Sequence, residues 1–355
     1  MTADPVSVKK EGNPMSPRYR GSAMERLRFP AVLAGVLVLL AVIAGCGGSS
    51  EPAERNSADG GPFPVTIEHK YGSTVIEHKP ERVITLGLSD QDAVLALGIK
   101  PVGVVDWFKE RPYGKWPWTK ELWGGTEPEI VGERDDYNME RIGELGPDLI
   151  IAQYSGMTKQ QYDTLSELAP VVAQPKGFPD YAAPWQDMAR PIGKALGREA
   201  EMNELIDKMD QRYAEVRQRH PEFAEQTLIV ADSFEPGIFS AFTSADPKAI
   251  FFRELGFRLD DKIDELADEG ANTVELSAEQ LSTLDTDRLV WVTSSEEAND
   301  RIKAESLYQK LKVHQDGRDL FVPYENPDIG AAFSFNTVLS IPYAIDEMVP
   351  RLTGQ

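Results

Sequence analysis

The sequence predicts an α/β protein of two similar lobes joined by one long, rigid α-helix. Three observations lead to this fold class. Short apolar runs rich in β-branched residues alternate with segments of helical periodicity, which is typical of parallel strands connected by helices. One uninterrupted amphipathic segment at residues 199–219 divides that alternation into two parts. A pattern that precedes this segment also recurs after it.

The first 45 residues have the composition of a signal peptide. Four arginines, at positions 18, 20, 26 and 28, precede residues 29–45, a run of seventeen residues without a charge. A basic region followed by an apolar run and small residues forms a secretory signal, so we expect the chain to be exported. An uncleaved membrane helix is the alternative, although seventeen residues are at the short limit for a hydrocarbon core of about 30 Å.

Cys46, the only cysteine, is the predicted lipidation site. The sequence Ile43-Ala44-Gly45-Cys46 resembles the lipobox of bacterial lipoproteins, whose cysteine is acylated and becomes the first residue of the mature chain. Residues 46–62 are rich in glycine, serine, proline and charged residues, which predicts a flexible tether. We therefore expect a protein that is lipid-anchored to the outer face of the cytoplasmic membrane.

Residues 63–198 are predicted to form an N-terminal α/β lobe. It begins with a hairpin, whose strands at 65–69 and 74–77 flank the turn sequence Tyr71-Gly72-Ser73. Alternating elements follow, with predicted strands at 83–86, 102–105, 149–152 and 171–173 and predicted helices at 91–97, 140–145 and 162–168.

Residues 199–220 are predicted to be the segment that spans both lobes, with a helix at 199–219. Apolar residues recur at intervals of three and four along one face: Met202, Leu205, Ile206, Met209, Tyr213 and Val216. Pro221 ends the helix, because the residue before a proline avoids helical geometry. At 1.5 Å per residue the helix would be roughly 31 Å long, about the diameter of a domain.

Residues 221–355 are predicted to form a C-terminal α/β lobe, with strands at 228–231, 289–293 and 320–322 and helices at 247–255, 306–312 and 342–352. An internal repeat relates the lobes. Glu140, Ile142, Leu145 and Asp148 precede one strand with the same spacing as Glu279, Leu281, Leu284 and Asp287 before another. A generic helix–turn–strand unit is the alternative explanation for this pattern.

The charge balance excludes some partners. The whole chain carries a net charge of −21, and residues 46–355 carry −24, because residues 1–45 hold six basic and three acidic side chains. A strongly acidic surface is unsuited to nucleic acid, which is bound through basic residues. It suits a soluble monomer held at a cell surface by its lipid. We predict no nucleic-acid partner and no bound cofactor.

The candidate ligand site follows from sheet geometry, since ligands of open α/β sheets bind beyond the carboxyl ends of the strands. The loop after the strand at 102–105 carries Trp107, Tyr113, Trp116 and Trp118, in which Pro117 makes a rigid aromatic ledge; core packing is the alternative for these rings. Other aromatic candidates follow further strands or lie near the C-terminus: Tyr154, Tyr181, Phe234, Phe239 and Phe333. Arg253 is the chosen cationic candidate, beside Arg111 and Lys248.

Several motifs together resemble the iron-siderophore substrate-binding lipoproteins of ABC importers. They are PERVITLG at 80–87, LGIKPVGV at 97–104 and LGPDLI at 145–150, while DWF at 106–108 and PYGKWPW at 112–118 are most similar to the actinobacterial branch. The resemblance covers residues 63–352. It implies two Rossmann-like lobes on a helical backbone and a shallow cleft with little hinge motion. We expect no enzyme, because the sequence around Ser89 lacks the second glycine of a nucleophile elbow and no Walker loop or HExxH motif occurs.

The resemblance also implies partners. Glu140 and Glu279 match the glutamates that dock each lobe on arginine pockets of the permease dimer, and a solvated residue at a helix start is the alternative. The expected ligand is a ferric siderophore whose iron stays in the chelator. A haem receptor with Tyr113, Tyr154 or Tyr181 on iron is the nearest alternative, and a corrinoid receptor and a secreted lipoprotein hydrolase are more distant ones.

Overall fold

The computed structural model describes residues 62–109, 111–233 and 236–354. The predicted signal peptide, the lipidation site Cys46, the tether up to residue 61 and the candidate Phe234 lie outside the described residues. In the part of the chain that is described, no helix is both long and apolar enough to cross a membrane.

The described chain enters the fold through the predicted hairpin. Strands β1 (Val65–His69) and β2 (Gly72–Ile76) pair antiparallel, with Val65 opposite Ile76. Alternate residues of β1 are buried, as expected for a strand with one face on a core. The Thr74 hydroxyl donates to the carbonyl of Val171, 2.7 Å away, which ties the hairpin to the first large sheet.

The first lobe is built on a six-stranded sheet in the order β6-β5-β4-β3-β7-β8. Its strands are β3 (Val83–Thr85), β4 (Gly103–Asp106), β5 (Glu129–Glu133), β6 (Asp136–Tyr137), β7 (Leu149–Ile151) and β8 (Val171–Val172). All pairs are parallel except β5 with β6. The three residues of β7 are fully buried, which is typical of a central parallel strand covered on both faces.

Five helices accompany this sheet: α1 (Asp90–Ala96), α2 (Lys120–Trp123), α3 (Met139–Leu145), α4 (Lys159–Ser166) and α5 (Trp185–Ala195). Helices α2 and α5 were not among the predicted helices. Helix α5 contains Pro191, a residue that argues against a helix interior, yet it buries Trp185, Met188 and Ile192 on one face. Tertiary burial of that face therefore outweighs the local helix propensity.

The long helix α6 (Glu199–Arg219) has the predicted bounds. It buries Met202, Ile206, Met209, Tyr213 and Val216, which are five of the six residues of the predicted apolar face. The hydrophobic core that includes these residues also includes Leu149 of β7 and residues of the second sheet. Helix α6 is therefore packed into one continuous core with both lobes.

The second lobe has a sheet in the order β12-β10-β9-β13-β14, with β11 also paired to β9. Its strands are β9 (Thr227–Asp232), β10 (Phe239–Phe242), β11 (Arg258–Leu259), β12 (Thr273–Leu276), β13 (Arg288–Thr293) and β14 (Asp319–Pro323). Strand β10 runs antiparallel to both of its neighbours, and the other pairs are parallel.

The helices of this lobe are α7 (Pro247–Leu255), α8 (Asp261–Leu266), α9 (Glu296–Ala304), α10 (Lys312–Gln315), α11 (Ile329–Phe335) and α12 (Ser340–Thr353). The helix predicted at 306–312 was wrong. A 3₁₀ turn at Tyr308–Lys310 and the first residue of α10 lie there, and the crossover between β13 and β14 is made mainly by α9. The Ser295 hydroxyl caps α9, a start signal that the sequence analysis did not use.

The internal repeat has a structural counterpart. Asp148, just before β7, accepts hydrogen bonds from the backbone N–H groups of Glu81 and Arg82, just before β3. Asp287, just before β13, accepts one from the N–H of Thr227, the first residue of β9. Each carboxylate joins the starts of two adjacent parallel strands, so the lobes share this local design. The two-lobe α/β fold is confirmed, whereas the domain boundaries chosen at 198/199 and 220/221 stay a prediction.

Candidate functional site

The carboxyl edges of the two sheets face each other. In the first lobe, Tyr154 follows β7, and in the second lobe Asp246 begins α7 and Tyr324 follows β14. Burial raises the pKa of Tyr154, and the nearby charges of Asp246 and Tyr324 raise it further. The ring centroids of Phe108, which follows β4, and Tyr324 lie 6.2 Å apart, so loops from the carboxyl edges of both sheets meet at one inter-lobe cleft.

Three predicted aromatic residues meet on the first-lobe side of this cleft. The ring centroids of Trp107 and Tyr181 are 5.9 Å apart at 81°, and those of Tyr154 and Tyr181 are 5.8 Å apart at 67°. Edge-to-face packing of this kind is favourable for aromatic rings. Trp107 and Tyr181 are half-buried, and Tyr154 is 6% exposed. We call Trp107, Tyr154 and Tyr181 the aromatic trio.

Asp135 holds the central ring of the trio. Its carboxylate accepts hydrogen bonds from the hydroxyls of Tyr181 and Tyr137 and from the N–H of Gly156, which is 3.0 Å away. A Cβ at Gly156 would lie 2.8 Å from the Tyr181 hydroxyl and 2.9 Å from Asp135, so a larger residue here would displace the ends of these two side chains. Tyr181 is therefore fixed by a second residue of the same lobe.

Arg134 lies beside the trio and was missed by the sequence analysis. The pairing of β4 with β5 shifts register between Val104 and Asp106, and Arg134 follows this bulge with a φ of 53°. Its guanidinium carbon lies 6.0 Å from the centroid of the Trp107 ring. Burial raises the pKa of Tyr324 in the second lobe, and the charge of Arg134 opposes that rise. Arg134 is exposed in the two-residue turn between β5 and β6, beside the ring of Trp107.

The second-lobe side of the cleft is charged. Asp232 ends β9, and burial raises its pKa to about 6 while the charge of Lys248 lowers it. The Lys248 ammonium lies 3.3 Å from Asp246 and 4.0 Å from the centroid of the Phe242 ring. Two carboxylates and one ammonium thus line this wall.

The predicted ledge packs between the lobes, with Trp116 buried and Trp118 half-buried. The two rings stack 5.4 Å apart at 4°, and Trp116 is only 1% exposed. Phe335 of α11 covers Trp116 at 5.1 Å. Tyr113 is also buried and packs on Trp123 at 5.3 Å. Trp116 and Tyr113 are thus core residues in the structure, and Trp118 keeps part of its surface exposed.

Buried polar contacts also join the lobes. Asp92 of α1 accepts hydrogen bonds from the Trp118 indole at 2.8 Å and from the Thr337 hydroxyl at 2.7 Å. Burial raises the pKa of Asp92 to about 7, the bonds from Thr337 and Trp118 lower it, and the charge of Asp90 raises it. Arg111 forms an ion pair with Asp328 at 2.8 Å. The lobes are therefore tied by both apolar and polar contacts.

Three other candidates do not lie at the cleft. Phe239 is 2% exposed and packs near Trp291, and Phe333 is fully buried between Phe251 and Phe252. Both rings belong to the core. Arg253 lies near the C-terminal end of α7, whose next strand, β11, pairs with the first residues of β9. That is the amino edge of the sheet, so we leave Arg253 out of the site.

Glu140 and Glu279 occupy equivalent exposed positions. Each is the second residue of its helix, α3 or the 3₁₀ helix at Ala278–Leu284. Helix α3 begins after β6, which returns from the carboxyl end of β5. The 3₁₀ helix follows Leu276, which pairs with Phe239 beside the end of β9. Both glutamates therefore lie at the cleft edge of their lobes.

Tyr154 and Tyr181 are the two tyrosines of the trio that were considered as ligands of haem iron. A phenolate ligand must lose its proton, and burial raises the pKa of both Tyr154 and Tyr181. The hydrogen bond from Tyr181 to Asp135 raises its pKa further. Tyr154 is thus the better placed of the two, since its hydroxyl makes no hydrogen bond within the described residues. Among those residues, no cluster of three or more His, Cys, Asp or Glu side chains could hold a metal ion.

Known proteins are similar to this chain in sequence and in fold. A family model described as periplasmic binding protein matches residues 83–320. The Fe(3+)-citrate-binding protein YfmC of Bacillus subtilis is 28% identical over 81% of this chain and 87% of its own length. A periplasmic solute binding protein from Mycobacterium smegmatis superposes with a TM-score of 0.72 and 30% identity, covering 82% of this chain and 98% of that one. PiaA of Streptococcus pneumoniae in complex with ferrichrome gives a TM-score of 0.70 and 30% identity over the same shares.

Proposed function

The chain belongs to the periplasmic binding protein family, and from this we propose that it is the substrate-binding protein of an ABC importer that captures a ferric siderophore. The observation that carries the proposal is the aromatic trio, which lies with Arg134 at the facing carboxyl edges of two α/β lobes. Relatives named for Fe(3+)-citrate and a structural neighbour bound to ferrichrome support the choice of an iron chelate.

The proposed action is binding without chemical change. Aromatic faces and edges would contact the organic part of the chelate, whose own oxygens fill the coordination shell of iron. Asp135 fixes Tyr181 before any ligand arrives, so little ordering of this side chain remains for the binding step. The buried contacts between the lobes, Trp116 with Phe335 and Asp92 with Thr337, likewise favour a preformed site.

Delivery to a permease extends the proposal. The exposed glutamates Glu140 and Glu279 lie at the same edges as the cleft, so a permease that pairs with both would face the bound ligand. Charge pairs at the rim of an interface set its geometry and rate more than its affinity. We propose that acylated Cys46 holds the protein at the membrane while it docks.

Haem is the second candidate, because Tyr154 presents a hydroxyl with no hydrogen-bond partner among the described residues. The raised pKa of this tyrosine speaks against it as a phenolate ligand. Haem titration would separate the two ligands, since iron ligation by Tyr154 would give a Soret band that shifts in Tyr154→Phe.

The test of the main proposal is tryptophan fluorescence during titration with ferric chelates. We expect Trp107→Phe to weaken binding about tenfold, or about 1.4 kcal/mol, because a smaller ring loses contact area and cation–π attraction. The matched control is Trp123→Phe. The Trp123 ring packs on Tyr113, away from the trio, so we expect this variant to have the same dissociation constant as wild type. A wild-type protein that binds haem but no ferric chelate would contradict the proposal.

A further inference from the structure

We propose that Gln174 is a positioning residue of the binding site: its buried side-chain amide holds together the two loops that carry Tyr154 and Tyr181, and chelate affinity depends on this connection. The inference rests on the proposed function and goes beyond it, because it names a buried residue that sets the arrangement of two of the ligand-binding rings. It is carried by hydrogen bonds, burial and the chemistry of one amide group.

Two glutamines that follow adjacent parallel strands each bond to the chain segment of the other. Gln153 comes after β7, and its side-chain amide donates to the carbonyl of Ala173. Gln174 comes after β8, and its amide donates to the carbonyls of Ser155 at 2.9 Å and Met157 at 3.2 Å. Their exposed fractions are only 2% and 3%. This pair, which we call the glutamine clasp, extends the connection between the two segments beyond the end of the strand pair.

The hydrogen bonds of Gln174 reach both loops that carry tyrosines of the trio. Its two carbonyl acceptors lie just after Tyr154 in residues 153–157, which we call the Tyr154 loop. Asp180 lies directly before Tyr181 in residues 174–182, the Tyr181 loop, and its carboxylate is 3.4 Å from the same amide nitrogen. An amide group has two N–H donors, so both are used between these loops. One side chain thus fixes how far apart the loops lie.

The entry hairpin also holds the Tyr181 loop. The N–H of Lys70 donates to the backbone carbonyl of Gln174 at 2.8 Å, and the Lys70 ammonium donates to the Asp180 carboxylate at 2.6 Å. The side chains of this ion pair are 34% and 40% exposed, so solvent screens it and it contributes little free energy. The buried amide of Gln174 is therefore the stronger of the two side-chain attachments.

The oxygen atoms of the glutamine clasp show that these amides are kept for their donors. The Oε1 atoms of Gln153 and Gln174 are buried and have no hydrogen-bond partner within the described residues. A buried oxygen without a donor lowers stability, and an apolar side chain of similar size would avoid this loss. Such a local loss of stability is typical of positions whose geometry serves a binding site.

The first test uses Gln174→Met, which nearly keeps the size of the side chain and removes both donors. The probes are ferric citrate and a neutral ferric trihydroxamate, titrated into the full-length protein in detergent and followed by tryptophan fluorescence. Because the two loops would have to be ordered on binding, we expect the dissociation constant of each chelate that the wild type binds to rise about tenfold.

The matched control for this test is Tyr308→Phe. It also removes two buried hydrogen bonds, but they lie in the second lobe, at the start of β14. We expect this control to melt at a lower temperature than wild type and to bind both chelates like wild type. A control that lost affinity as much as Gln174→Met would overturn the inference, since general destabilisation would then explain both results.

A carboxyl group at the same position gives a pH signature that a loss of packing would not give. In Gln174→Glu the ionised group would face two backbone carbonyls and the Asp180 carboxylate, whereas the protonated group would donate one hydrogen bond in place of the amide. Burial raises the pKa of a carboxyl group, so we expect trihydroxamate binding about tenfold weaker than wild type at pH 8 and close to wild type at pH 5. Wild type measured at each pH corrects for the titration of Asp180 and Lys70. The same ratio of variant to wild type at both pH values would overturn the inference.

Hydrogen exchange of the ligand-free protein tests the glutamine clasp without a chelate. We expect the amides of the Tyr154 loop and the Tyr181 loop to exchange faster in Gln174→Met than in wild type, and at the wild-type rate in Tyr308→Phe. Unchanged exchange in Gln174→Met, or faster exchange with wild-type chelate affinity, would overturn the inference. Faster exchange together with a wild type that binds no ferric chelate would instead overturn the proposed function.

Discussion

Asp92 shows how one buried carboxyl can connect the two lobes. Its side chain is completely buried, and it accepts hydrogen bonds from Trp118 of the first lobe and Thr337 of the second. Both bonds favour the charged form, yet burial dominates and raises the pKa to about 7. The group therefore holds a proton in the folded protein at pH values where it would be ionised in the unfolded chain.

The raised pKa of Asp92 predicts a pH-dependent stability. Because the folded pKa exceeds the unfolded one, the contribution is fully present below about pH 4 and is lost as pH rises through about 7. We expect Asp92→Asn to be more stable than wild type at pH 8 by about 1–3 kcal/mol, with the difference shrinking toward pH 5. Denaturant unfolding at both pH values measures it. A constant difference between the two proteins would contradict the prediction.

A substitution of Gly156 gives a second prediction, on stability and on chelate binding. In Gly156→Ala the new methyl would collide with the Tyr181 hydroxyl and with Asp135, so their hydrogen bond would break. We expect a loss of stability of about 1–3 kcal/mol and weaker chelate binding. The control is Gly143→Ala in α3, where the nearest atom would be 3.7 Å away, and alanine there should stabilise by about 0.5–1 kcal/mol. Unchanged chelate binding in Gly156→Ala would show that Tyr181 is not positioned in this way.

The sequence was informative about some site residues and silent about others, for physical reasons. Tyr154 and Tyr181 could be predicted because they follow strands, and parallel strands end at one edge. The burial of Trp116 could not, since the ring that covers it belongs to α11, more than 200 residues later in the chain. Arg134 was not predicted because neither the register shift before it nor its positive φ can be recognised from the residue types in the sequence.

At the scale of elements, α6 could be predicted to the residue because its apolar face repeats without interruption and Pro221 follows it. Helix α5 could not be predicted, since Pro191 interrupts the helical pattern in the sequence. The helix forms because one of its faces is buried against the rest of the fold. Strands β10 and β12 were also absent from the prediction. Their residues include Ser240 and Glu275, and their antiparallel pairing depends on a partner distant in sequence.

The buried face of α6 carries a polar group whose removal should stabilise the protein. The Tyr213 hydroxyl is buried without a hydrogen-bond partner in the described part of the chain. We therefore expect Tyr213→Phe to be stabilising by about 1 kcal/mol. In the control Tyr308→Phe, a hydroxyl that accepts from Trp291 and donates to Asp319 is lost, so we expect destabilisation of about 1–2 kcal/mol. Thermal melts of both variants measure the contrast, and equal shifts of the same sign would contradict it.

At the scale of the whole molecule, the net charge opposes the approach of an anionic ligand. Residues 46–355 carry −24, and the screening length falls from about 30 Å at 0.01 M salt to about 8 Å at 0.15 M. We expect the association rate constant for ferric citrate to rise a few-fold over this range, because long-range repulsion is screened. Stopped-flow fluorescence measures it, with a neutral trihydroxamate as the insensitive control. A rate constant that falls with salt would mean that local positive potential steers the ligand.

The buried stack of Trp116 against Phe335 and the bond from Thr337 to Asp92 have a consequence for traffic through the proposed importer. Because these contacts hold the lobes together, we expect the ligand-free and the ligand-bound receptor to present nearly the same surface to the permease. Ligand-free copies would then compete with ligand-bound copies for the same site on the permease and inhibit uptake. Uptake would thus peak at an intermediate number of receptors per translocator and decline when the cell makes more.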